Sequence, residues 1–527
     1  MNSRRPKVTA LTVDGRRYPV RYKVINANSL RIDTQDTARI KLTVIPGPDP
    51  EDGWWYKFGQ HATRIAMSVR NFSFTYKNTY AMTLPGFRPE VGDMFGQKKH
   101  GGFLAPGMDF AFGFTGDDYI DRALQNDWLI CNDSVVSPAS SNALEDLQLR
   151  ISLEPIRDLK IDLTANRTRN RSREIQYMFE GMPDTRSGNF SMSIISIGSA
   201  FERPSAGDGY HSGTFERFRR NLDVIRDRVE SQFLGAQYPQ GSTLAGKTFD
   251  PANGTISKHS PDVMIPAFLA AYTGKSARNS ALDFFPSLFS MMPNWRITYT
   301  GLTKIAWFKK NFRSVNLNHA YRSTYSVGSY NTFQSFMSYM GDIGFVEDVQ
   351  SGNPIPSSRF DISMVSINEQ FSPLIGMDAT LKNGLTAKVE YKTSRILNLS
   401  MSACQLVETA SRDFVIGLGY KIVNFNLFSA RNVKDSKNRV SHDLALRADI
   451  SFRNQSALCR DIQQGFAQAT NGNKALKISC SADYTLSRLL TLRLYYDRQQ
   501  NTPLVSSSSY PVVSADFGFS MKFSLTR

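Results

Sequence analysis

Residues 371–425 decide the fold, and they read FSPLIGMDATLKNGLTAKVEYKTSRILNLSMSACQLVETASRDFVIGLGYKIVNF. Before the Asn383-Gly384 pair, the odd positions are apolar and the even positions are small or polar, and the same parity continues after the pair. Side chains alternate between the two faces of a strand, and Asn-Gly is typical of a type I′ turn. The stretch therefore predicts a β-hairpin with one apolar face.

The same alternation recurs along much of the chain. Apolar residues occupy every second position in 147–153, 159–165, 397–403, 414–422, 444–452, 476–486, 490–496 and 515–525, and Val315, Leu317, Tyr321, Tyr325 and Val327 share one face of a further run. A chain of 527 residues could hold several ordinary domains, but so many alternating strands favour one large antiparallel β architecture. We therefore predict an all-β fold, in which the central question is the medium that the apolar face meets.

The composition of the chain excludes one class of membrane protein and leaves another possible. Hydrophobic residues make up 41% of the chain and the mean hydropathy is -0.33, so no stretch approaches the roughly 20 apolar residues of a membrane helix. A helical membrane protein is excluded, whereas the strands of a transmembrane barrel interleave polar and apolar residues and escape hydropathy averages. The first residues, MNSRRPKVTALTVDG, lack the apolar core of a signal peptide. We expect either a cytosolic chain or one piece of a longer exported protein.

The opposite face of the predicted strands argues for a barrel. We expect it to line a wet lumen, with these lumen-facing residues: Asp378, Thr380, Lys388, Glu390, Lys392, Gly417, Gly419, Arg447, Asp449, Asp483, Arg493 and Asp497. The lipid-facing residues would be Leu381, Val389, Tyr391, Leu399, Ile416, Leu418, Leu446, Ile478, Leu492, Phe519 and Phe523. A soluble sandwich would instead expose the charged face to solvent, but it leaves the aromatic strand ends unexplained. The patterns favour an antiparallel transmembrane β-barrel wall.

Four arginines follow the apolar parity of one strand. Arg167, Arg169, Arg171 and Arg173 continue the series of Leu159 to Ala165 on the same face. In a soluble sheet such a change merely marks the end of the core. In a barrel wall it marks the level at which the outward face meets anionic headgroups, because arginine binds phosphate through two nitrogens. Both interpretations stay open, with headgroup contact as the hypothesis.

The chain divides into three regions. Barrel strands and loops are predicted in 1–201, a mainly helical insertion in 202–292, and the C-terminal barrel strands in 293–527. Within the insertion, apolar residues at spacings of three and four predict an amphipathic helix over about 214–234, and a second helix over 261–272. We expect the insertion to cap or gate the barrel, with contact at the membrane surface as a weaker alternative. Residues 84–117 are expected to form loop, and a short helix is expected over 121–129.

The usual topology of bacterial barrels also predicts which connections lie on each side of the membrane. If the last strand ends on the periplasmic side, Ser487-Arg488 is a periplasmic turn, and 202–292, 331–358 and 454–473 are long connections on the outside.

No pattern indicates catalysis. Gly417-Leu418-Gly419 lacks both the third glycine and the helix of a dinucleotide-binding loop. The six histidines are scattered, and the four cysteines, at 131, 404, 459 and 480, lack CxxC spacing. We expect no enzyme activity, no cofactor and no metal site. The net charge of +16 suits an anionic partner, for which we expect outer-membrane lipid and not nucleic acid.

Several motifs resemble one family. They are PNWRITYTGLTK at 293–304, YRSTYSVGS at 321–329, EQFSPLIGMD at 369–378, KNGLTAKVEYK at 382–392, YYDRQ at 495–499 and NTPLVSSS at 501–508. LPGF at 84–87, LEP at 153–155 and IPAFLAAY at 265–272 extend the match over most of the chain from about residue 65. These runs resemble the C-terminal portion of the SprA (Sov) family, the outer-membrane translocon of type IX secretion in Bacteroidetes.

The resemblance implies a fold and a function. It implies part of a giant single-chain barrel of roughly 36 strands, with a wide passive pore through which folded cargo proteins cross, and a link to gliding motility in some members. The implied partners are secreted cargo, a PorV-type shuttle barrel, a periplasmic plug, an inner-membrane motor and the remainder of the translocon barrel. Family members are several times longer, so we expect this chain to be a fragment. A self-closed porin or substrate-specific transporter, and a soluble or surface-attached adhesive β protein, stay as alternatives.

Overall fold

The computed structural model describes residues 7–26, 29–33, 39–45, 67–90, 92–116, 118–132, 137–176, 184–202, 204–423, 425, 443–486, 490–505 and 510–524. The chain divides into two compact units, Met1–Arg70 with Leu153–Arg157 and Asn71–Ser152 with Asp158–Arg527. The predicted turn at Ser487-Arg488 and the predicted end of the last strand at Leu525 lie outside the described residues.

Strands dominate the described residues. They are β1 (Lys7–Thr12), β2 (Arg17–Tyr18), β3 (Arg21–Asn26), β4 (Ser29–Asp33), β5 (Ile40–Ile45), β6 (Val69–Thr83), β7 (Lys98–His100), β8 (Phe103–Ala105), β9 (Ala139–Ile156), β10 (Leu159–Ile175), β11 (Asp184–Ser193), β12 (Asn294–Tyr299), β13 (Phe312–Thr332), β14 (Met337–Met340), β15 (Ile343–Glu347), β16 (Pro354–Ser358), β17 (Phe360–Ile362), β18 (Met364–Leu381), β19 (Leu385–Ser400), β20 (Gln405–Ile422), β21 (Leu444–Asp461), β22 (Ala467–Thr485), β23 (Leu490–Pro503) and β24 (Val512–Phe523).

Helices are few and mostly short. The α-helices of the described residues are α1 (Met108–Ala111), α2 (Tyr119–Gln125), α3 (Gly213–Ser231), α4 (Pro261–Tyr272) and α5 (Ala306–Asn311). Short 3-10 turns occur at Ile197–Ser199, Ala206–Asp208, Pro251–Asn253, Leu288–Ser290 and Gly301–Lys304.

The first unit contains small sheets. β1 pairs with β2 and β5, and β3 pairs with β4, all antiparallel. Within the same unit, Arg70 Nε lies 2.9 Å from Glu154 Oε2.

The second unit is built on one 14-stranded sheet. Its order is β24-β23-β22-β21-β20-β19-β18-β13-β11-β10-β9-β6, with β12 paired to β10 and β13, and β17 paired to β13. From β18 to β24 the strands pair antiparallel with their neighbours in sequence. The chain is therefore an all-β protein with an antiparallel sheet and a small helical insertion, as the alternation predicted.

The hairpin at Asn383-Gly384 has a different turn from the one expected. Thr380 pairs with Thr386, so three residues connect Leu381 to Leu385. Only Gly384 has a positive φ, of 88°, and its N–H donates to Leu381 O over 3.1 Å. A three-residue loop with glycine in the left-handed region replaces the expected two-residue type I′ turn. The odd number of loop residues keeps the odd positions of both strands on one face.

The helical insertion interrupts a strand. β11 pairs with Arg167–Ile175 of β10, and β12 pairs with Leu159–Thr164 of the same strand. On the other side, Ser193 of β11 pairs with Thr324 and Trp295 of β12 pairs with Tyr321. β12 thus continues β11 between the same two neighbours, and the intervening residues leave the sheet between Ser193 and Asn294. Asn294 Nδ2 donates to Ser193 Oγ over 3.2 Å, which holds the two ends together.

The insertion has its own core. Ser212 Oγ accepts from Phe215 N and caps α3, whose buried side chains recur at helical spacing: Phe215, Phe218, Leu222, Ile225 and Val229. α4 begins at Pro261 and is buried on nearly every side. Both helices were predicted; α4 has the expected bounds and α3 ends a few residues before the expected limit. Together they form one hydrophobic cluster with strand residues of the large sheet.

Two predicted loops are partly ordered structure. Residues within 84–117 form β7, β8 and α1. The short helix expected over 121–129 is observed as α2, and it contributes Tyr119 and Ile120 to a small core with Trp128. Residues 454–473, expected to be a long outer connection, instead extend β21 and β22 to a short turn between Asp461 and Ala467. The polar residues of these extensions hid the strands from the alternation pattern.

Candidate functional site

One face of the large sheet carries three bands of residues, one after another along the strands. The end of the sheet that contains the Asn383-Gly384 turn is called the lower end, and the band nearest to it is an apolar belt. We call this face the apolar face and the other the charged face. In the belt, directly opposed residues form apolar rows across the strands; one row is Tyr391, Phe414, Phe452 and Leu476, and another is Val389, Ile416, Ile450 and Ile478. The belt extends over Phe414–Ile422 on β20, 444–452 on β21 and 476–484 on β22. Each run is about nine residues, near the lower limit of a membrane-spanning strand.

Much of this belt is left uncovered by the residues that the structure describes. Phe452 is 50% exposed and Phe519 is 62% exposed, although both belong to a continuous apolar surface. Contiguous exposed apolar surface of this kind marks contact with a membrane or a partner.

The register places the predicted lipid-facing residues on the apolar face. Leu381, Val389, Tyr391, Ile416, Leu418, Leu446, Ile478, Leu492, Phe519 and Phe523 all follow from the pairings of β18 to β24. Leu399 shares this face but is fully buried against the helical insertion. Its assignment to lipid was wrong, because the apolar face continues above the belt and is covered there by protein.

The predicted lumen-facing residues share the charged face. Asp378 pairs with Lys388, which pairs with Gly417, which pairs with Asp449, and Asp483 pairs with Arg493. The remaining members of the predicted set, Thr380, Glu390, Lys392, Gly419, Arg447 and Asp497, follow from the same registers. The two sets derived from the sequence therefore occupy opposite sides of one sheet, whichever medium each side meets.

Charges on the charged face are mixed and locally paired. Glu390 accepts from Lys388 at 3.0 Å and from Lys392 at 2.8 Å, and Asp413 pairs with Arg453 at 2.9 Å. The glycines fit beside these side chains: a Cβ on Gly417 would lie 2.5 Å from Asp449 Oδ1. The result is a polar surface of both signs.

A polar band lies above the belt on the apolar face. At its centre Arg395 Nη2 lies 2.7 Å from Glu369 Oε2, with the residues 7% and 2% exposed. Tyr321 and Ser196 hydroxyls donate to the other oxygen of Glu369 at 2.8 and 2.7 Å. Arg395 also donates to Ser199 O at 2.6 Å. This network ties the sheet to the start of the insertion.

A second buried pair extends the polar band. Arg460 Nη2 lies 3.1 Å from Glu408 Oε2, and its Nη1 donates to Tyr210 O at 2.6 Å. Arg219 of α3 donates through Nε to Ile462 O at 3.1 Å. The sequence analysis did not identify these residues. Glu369, Arg395 and Glu408 are charged residues at positions where alternation expects apolar ones, and this mismatch is the signal that could have identified them.

The arginine series lies on the same face of the sheet and has protein partners. Arg173 is buried and pairs with Asp184 at 3.0 Å and Asp121 at 3.3 Å. Arg171 pairs with Glu145 at 2.8 Å. Arg167 lies over the ring of Phe190, and Arg169 over that of Phe285. The predicted headgroup contact of Arg173 is therefore wrong, and all four arginines pack within the protein because the insertion and the 84–132 segment cover this end of the face.

The upper band is apolar and buried by the insertion. Val365, Ile367, Leu397 and Leu406 are fully buried in the cluster that contains Phe215, Phe218 and Phe268. On β19 and β20 this face thus passes from the apolar belt to ion-paired residues and then to buried apolar contact. The insertion rests on the apolar face, not on the charged one.

Acid is expected to loosen the start of α3, within the insertion, through Glu202. Burial opposes ionisation of Glu202, but hydrogen bonds from the Ser212 and Thr214 hydroxyls hold its pKa below the usual glutamate value. Because the folded-state pKa is lower than that of the unfolded chain, its stabilisation is present above about pH 4.3 and is lost as the pH falls through the folded-state pKa. Proteolysis of the insertion as a function of pH should show this loss in the wild type.

Two variants isolate the effect. Glu202→Gln should remove the acid-dependent part of the protease sensitivity, whereas Asp227→Asn, at a mostly exposed carboxylate on α3, should keep the wild-type profile. The same acid profile in all three proteins would contradict a role for Glu202.

No other kind of site stands out in the described part of the chain. None of its helices is both long and apolar enough to cross a membrane. No group of three or more His, Cys, Asp or Glu residues in that part could hold a metal ion. The absence of catalytic, cofactor and metal sites stays a prediction from the sequence.

Known proteins resemble this chain only weakly. No protein-family model and no curated protein matches the sequence. Among solved structures, the outer membrane protein OmpT of Vibrio cholerae matches at 9% identity over 86% of this chain and 98% of that chain, with a TM-score of 0.19. An anion-selective porin from Comamonas acidovorans matches at 9% identity over 72% and 87%, with a TM-score of 0.10. At these TM-scores the likeness supports no argument about this chain.

Proposed function

We propose that this chain forms part of the wall of an outer-membrane pore for folded cargo proteins, of the SprA (Sov) type in type IX secretion. The observation that carries the membrane part of the proposal is the exposed apolar belt, about nine residues high, on a sheet whose other face is charged. A strand that spans a bilayer needs roughly 9–11 tilted residues and alternates lipid-facing with lumen-facing side chains.

The edges of the belt support this placement. Tyr391, Phe414 and Phe452 form its upper row, and Tyr420 and Tyr484 lie near its lower end. Aromatic residues with one polar end are enriched where hydrocarbon meets water. The belt therefore has the height and the borders of a lipid-facing surface.

The charged face suits a passive conduit. It carries both signs of charge, locally neutralised, and the small residues Gly417 and Gly419. A wall that must let many different folded proteins pass should offer no large apolar patch on which they could adhere. In this proposal the energy for transport comes from partners, namely an inner-membrane motor, while a PorV-type shuttle barrel and a periplasmic plug control access.

The proposal includes a ring larger than this sheet. The strand order begins at β24 and ends at β6, and no pairing joins these two strands among the described residues. Unpaired strand edges are prohibitive in lipid. We therefore propose that further strands of the translocon barrel complete the wall.

In such a wall the insertion would lie outside the pore. If the charged face lines the lumen, then the helices at 213–231 and 261–272 lie against the outward face, above the belt. They would brace the wall from outside, and the expected cap or gate across the pore mouth has no support from these contacts.

Thiol labelling tests which face meets lipid. Cys480 lies on the apolar face and Ser479 on the charged face of the same strand. In a background without the other cysteines, a membrane-impermeant maleimide should label Cys480 slowly in outer membranes, whereas Ser479→Cys combined with Cys480→Ser should react readily. A lipid-soluble maleimide should reverse the preference, because only the apolar face borders hydrocarbon.

Two outcomes would contradict the proposal. Equal labelling of both positions by the impermeant reagent, together with extraction into buffer without detergent, would place the chain outside the membrane. Stable conductance of small solutes by this chain alone would indicate a self-closed porin instead of a wall segment.

A further inference from the structure

An amphipathic groove crosses the upper border of the belt. It has a volume of about 450 Å³ and lies where β19 to β23 pass from apolar to polar residues. Its lower part is lined by the rings of Tyr391, Phe414 and Phe452, and its upper part by Arg412, Asn454 and Lys474. The groove therefore changes from aromatic to cationic along the direction of the strands.

The cations form one row across the sheet. Arg412 pairs with Asn454, which pairs with Lys474, all on the apolar face. Neighbouring strands are about 4.8 Å apart, so the two cations are separated by about 10 Å at their Cα atoms. Long side chains can close that distance over Asn454, which adds an amide donor between them.

These two cations differ from the arginines nearer the insertion. Arg167, Arg171, Arg173, Arg395 and Arg460 have carboxylate partners. Neither Arg412 nor Lys474 has an ion pair within the described residues, and the groove-lining residues there include no carboxylate. Arg412 does donate to the carbonyl oxygen of Glu202, at 3.4 Å, so the insertion borders the groove.

We propose that this groove binds the headgroup of a phosphate-bearing anionic lipid, with the phosphate between Arg412 and Lys474 and the acyl chains on the aromatic rings below. The inference rests on the proposed membrane location of the belt. Two features favour a lipid over a soluble anion: the groove is continuous with the belt, and its aromatic part would have no counterpart on inorganic phosphate. Arginine and lysine at this depth attract anionic headgroups by electrostatics.

The test compares two charge-matched variants of the full chain. Arg412→Gln with Lys474→Gln removes the groove cations, while Arg447→Gln with Lys477→Gln removes one arginine and one lysine from the charged face of β21 and β22. Each protein is produced with the strands that complete its wall and transferred from outer membranes into nanodiscs of phosphatidylcholine and phosphatidylglycerol, and native mass spectrometry after release counts the lipids that stay bound.

The wild type and the charged-face variant should retain phosphatidylglycerol in preference to phosphatidylcholine. The groove variant should lose about thirtyfold of that preference, which corresponds to about 1 kcal/mol for each cation. The exchange variant Arg412→Lys with Lys474→Arg should keep most of the preference, and this arm remains informative if the glutamine variant folds poorly.

Other outcomes overturn the proposal. Equal preference in the groove variant and the wild type, or equal losses in both double variants, would remove the site. Displacement of phosphatidylglycerol by inorganic phosphate would identify a soluble anion as the ligand. Absence of the wild type from outer membranes would refute the membrane wall itself, so that outcome is distinguishable from loss of the lipid site alone.

Discussion

Arg395→Ala should lower the free energy of unfolding by about 3–5 kcal/mol, because it leaves Glu369 buried without its counter-charge. Glu369 is 2% exposed, and the Tyr321 and Ser196 hydroxyls cannot replace a guanidinium. The loss should appear at the junction of sheet and insertion, since Arg395 also binds Ser199 there. Denaturant titration of the chain in detergent micelles, with protease cleavage of the insertion as a second readout, measures it.

A matched arginine provides the control. Arg453 pairs with Asp413 on the charged face, where its side chain is 59% exposed. Arg453→Ala should cost no more than about 1 kcal/mol, because exposed ion pairs contribute little. Replacing Arg395 and Glu369 together by leucine should recover much of the loss, since a buried pair can often be exchanged for apolar residues. Equal small effects of Arg395→Ala and Arg453→Ala would show that the buried pair does not hold the insertion.

Cys480→Arg should destabilise the membrane-inserted protein by about 2–4 kcal/mol, the cost of a cation on the lipid face near the bilayer midplane. Cys480 lies at the middle of the belt, opposite Ala448 on β21 and Tyr496 on β23. The measurement is the urea dependence of unfolding in isolated outer membranes, where the further strands of the wall are present.

An arginine introduced at the adjacent residue serves as the control, because only the face of the sheet differs. Ser479→Arg introduces the same side chain one position along β22, on the charged face, where the pairing partner on β23 is Asp497. It should change the folding free energy by less than about 1 kcal/mol. If both substitutions cost the same, the belt does not face hydrocarbon.

Much of the sheet could be predicted because parity along a strand is a local property. The residues on each face around Val389 and Lys388 follow from alternation alone, and the observed registers agree. The same alternation also indicates the length of the turn. Apolar residues at odd positions on both sides, Leu381 and Leu385, require an odd number of loop residues, which excludes the two-residue turn that Asn383-Gly384 suggested.

The banding of the apolar face was harder to predict. Leu399 continues the apolar parity of Val389, so alternation assigns both to one medium, and only the three-dimensional contacts show that Leu399 is covered by protein. The intervening Arg395 is the local sign of that change, since a lone charge at an apolar position needs a buried partner. Its partner Glu369 is on the next strand, beyond the reach of a pattern confined to neighbouring residues.

The interruption of a strand by the insertion could not be read from sequence either. Residues 184–193 and 294–299 are two short strands in the chain and one strand in the sheet, because their shared neighbours β10 and β13 define it. The interruption coincides with the change from apolar to charged residues on β10, between Ala165 and Arg167.

The contact between Ser193 and Asn294 separates the length of the insertion from the geometry of the sheet. Because its two ends meet within one hydrogen bond, the register of β10 and β13 does not depend on the number of residues between them. The insertion cannot simply be removed, since it buries Val365, Ile367 and Leu397. It can be lengthened at its exposed turn 240–246, where an epitope would mark the insertion without shifting any strand.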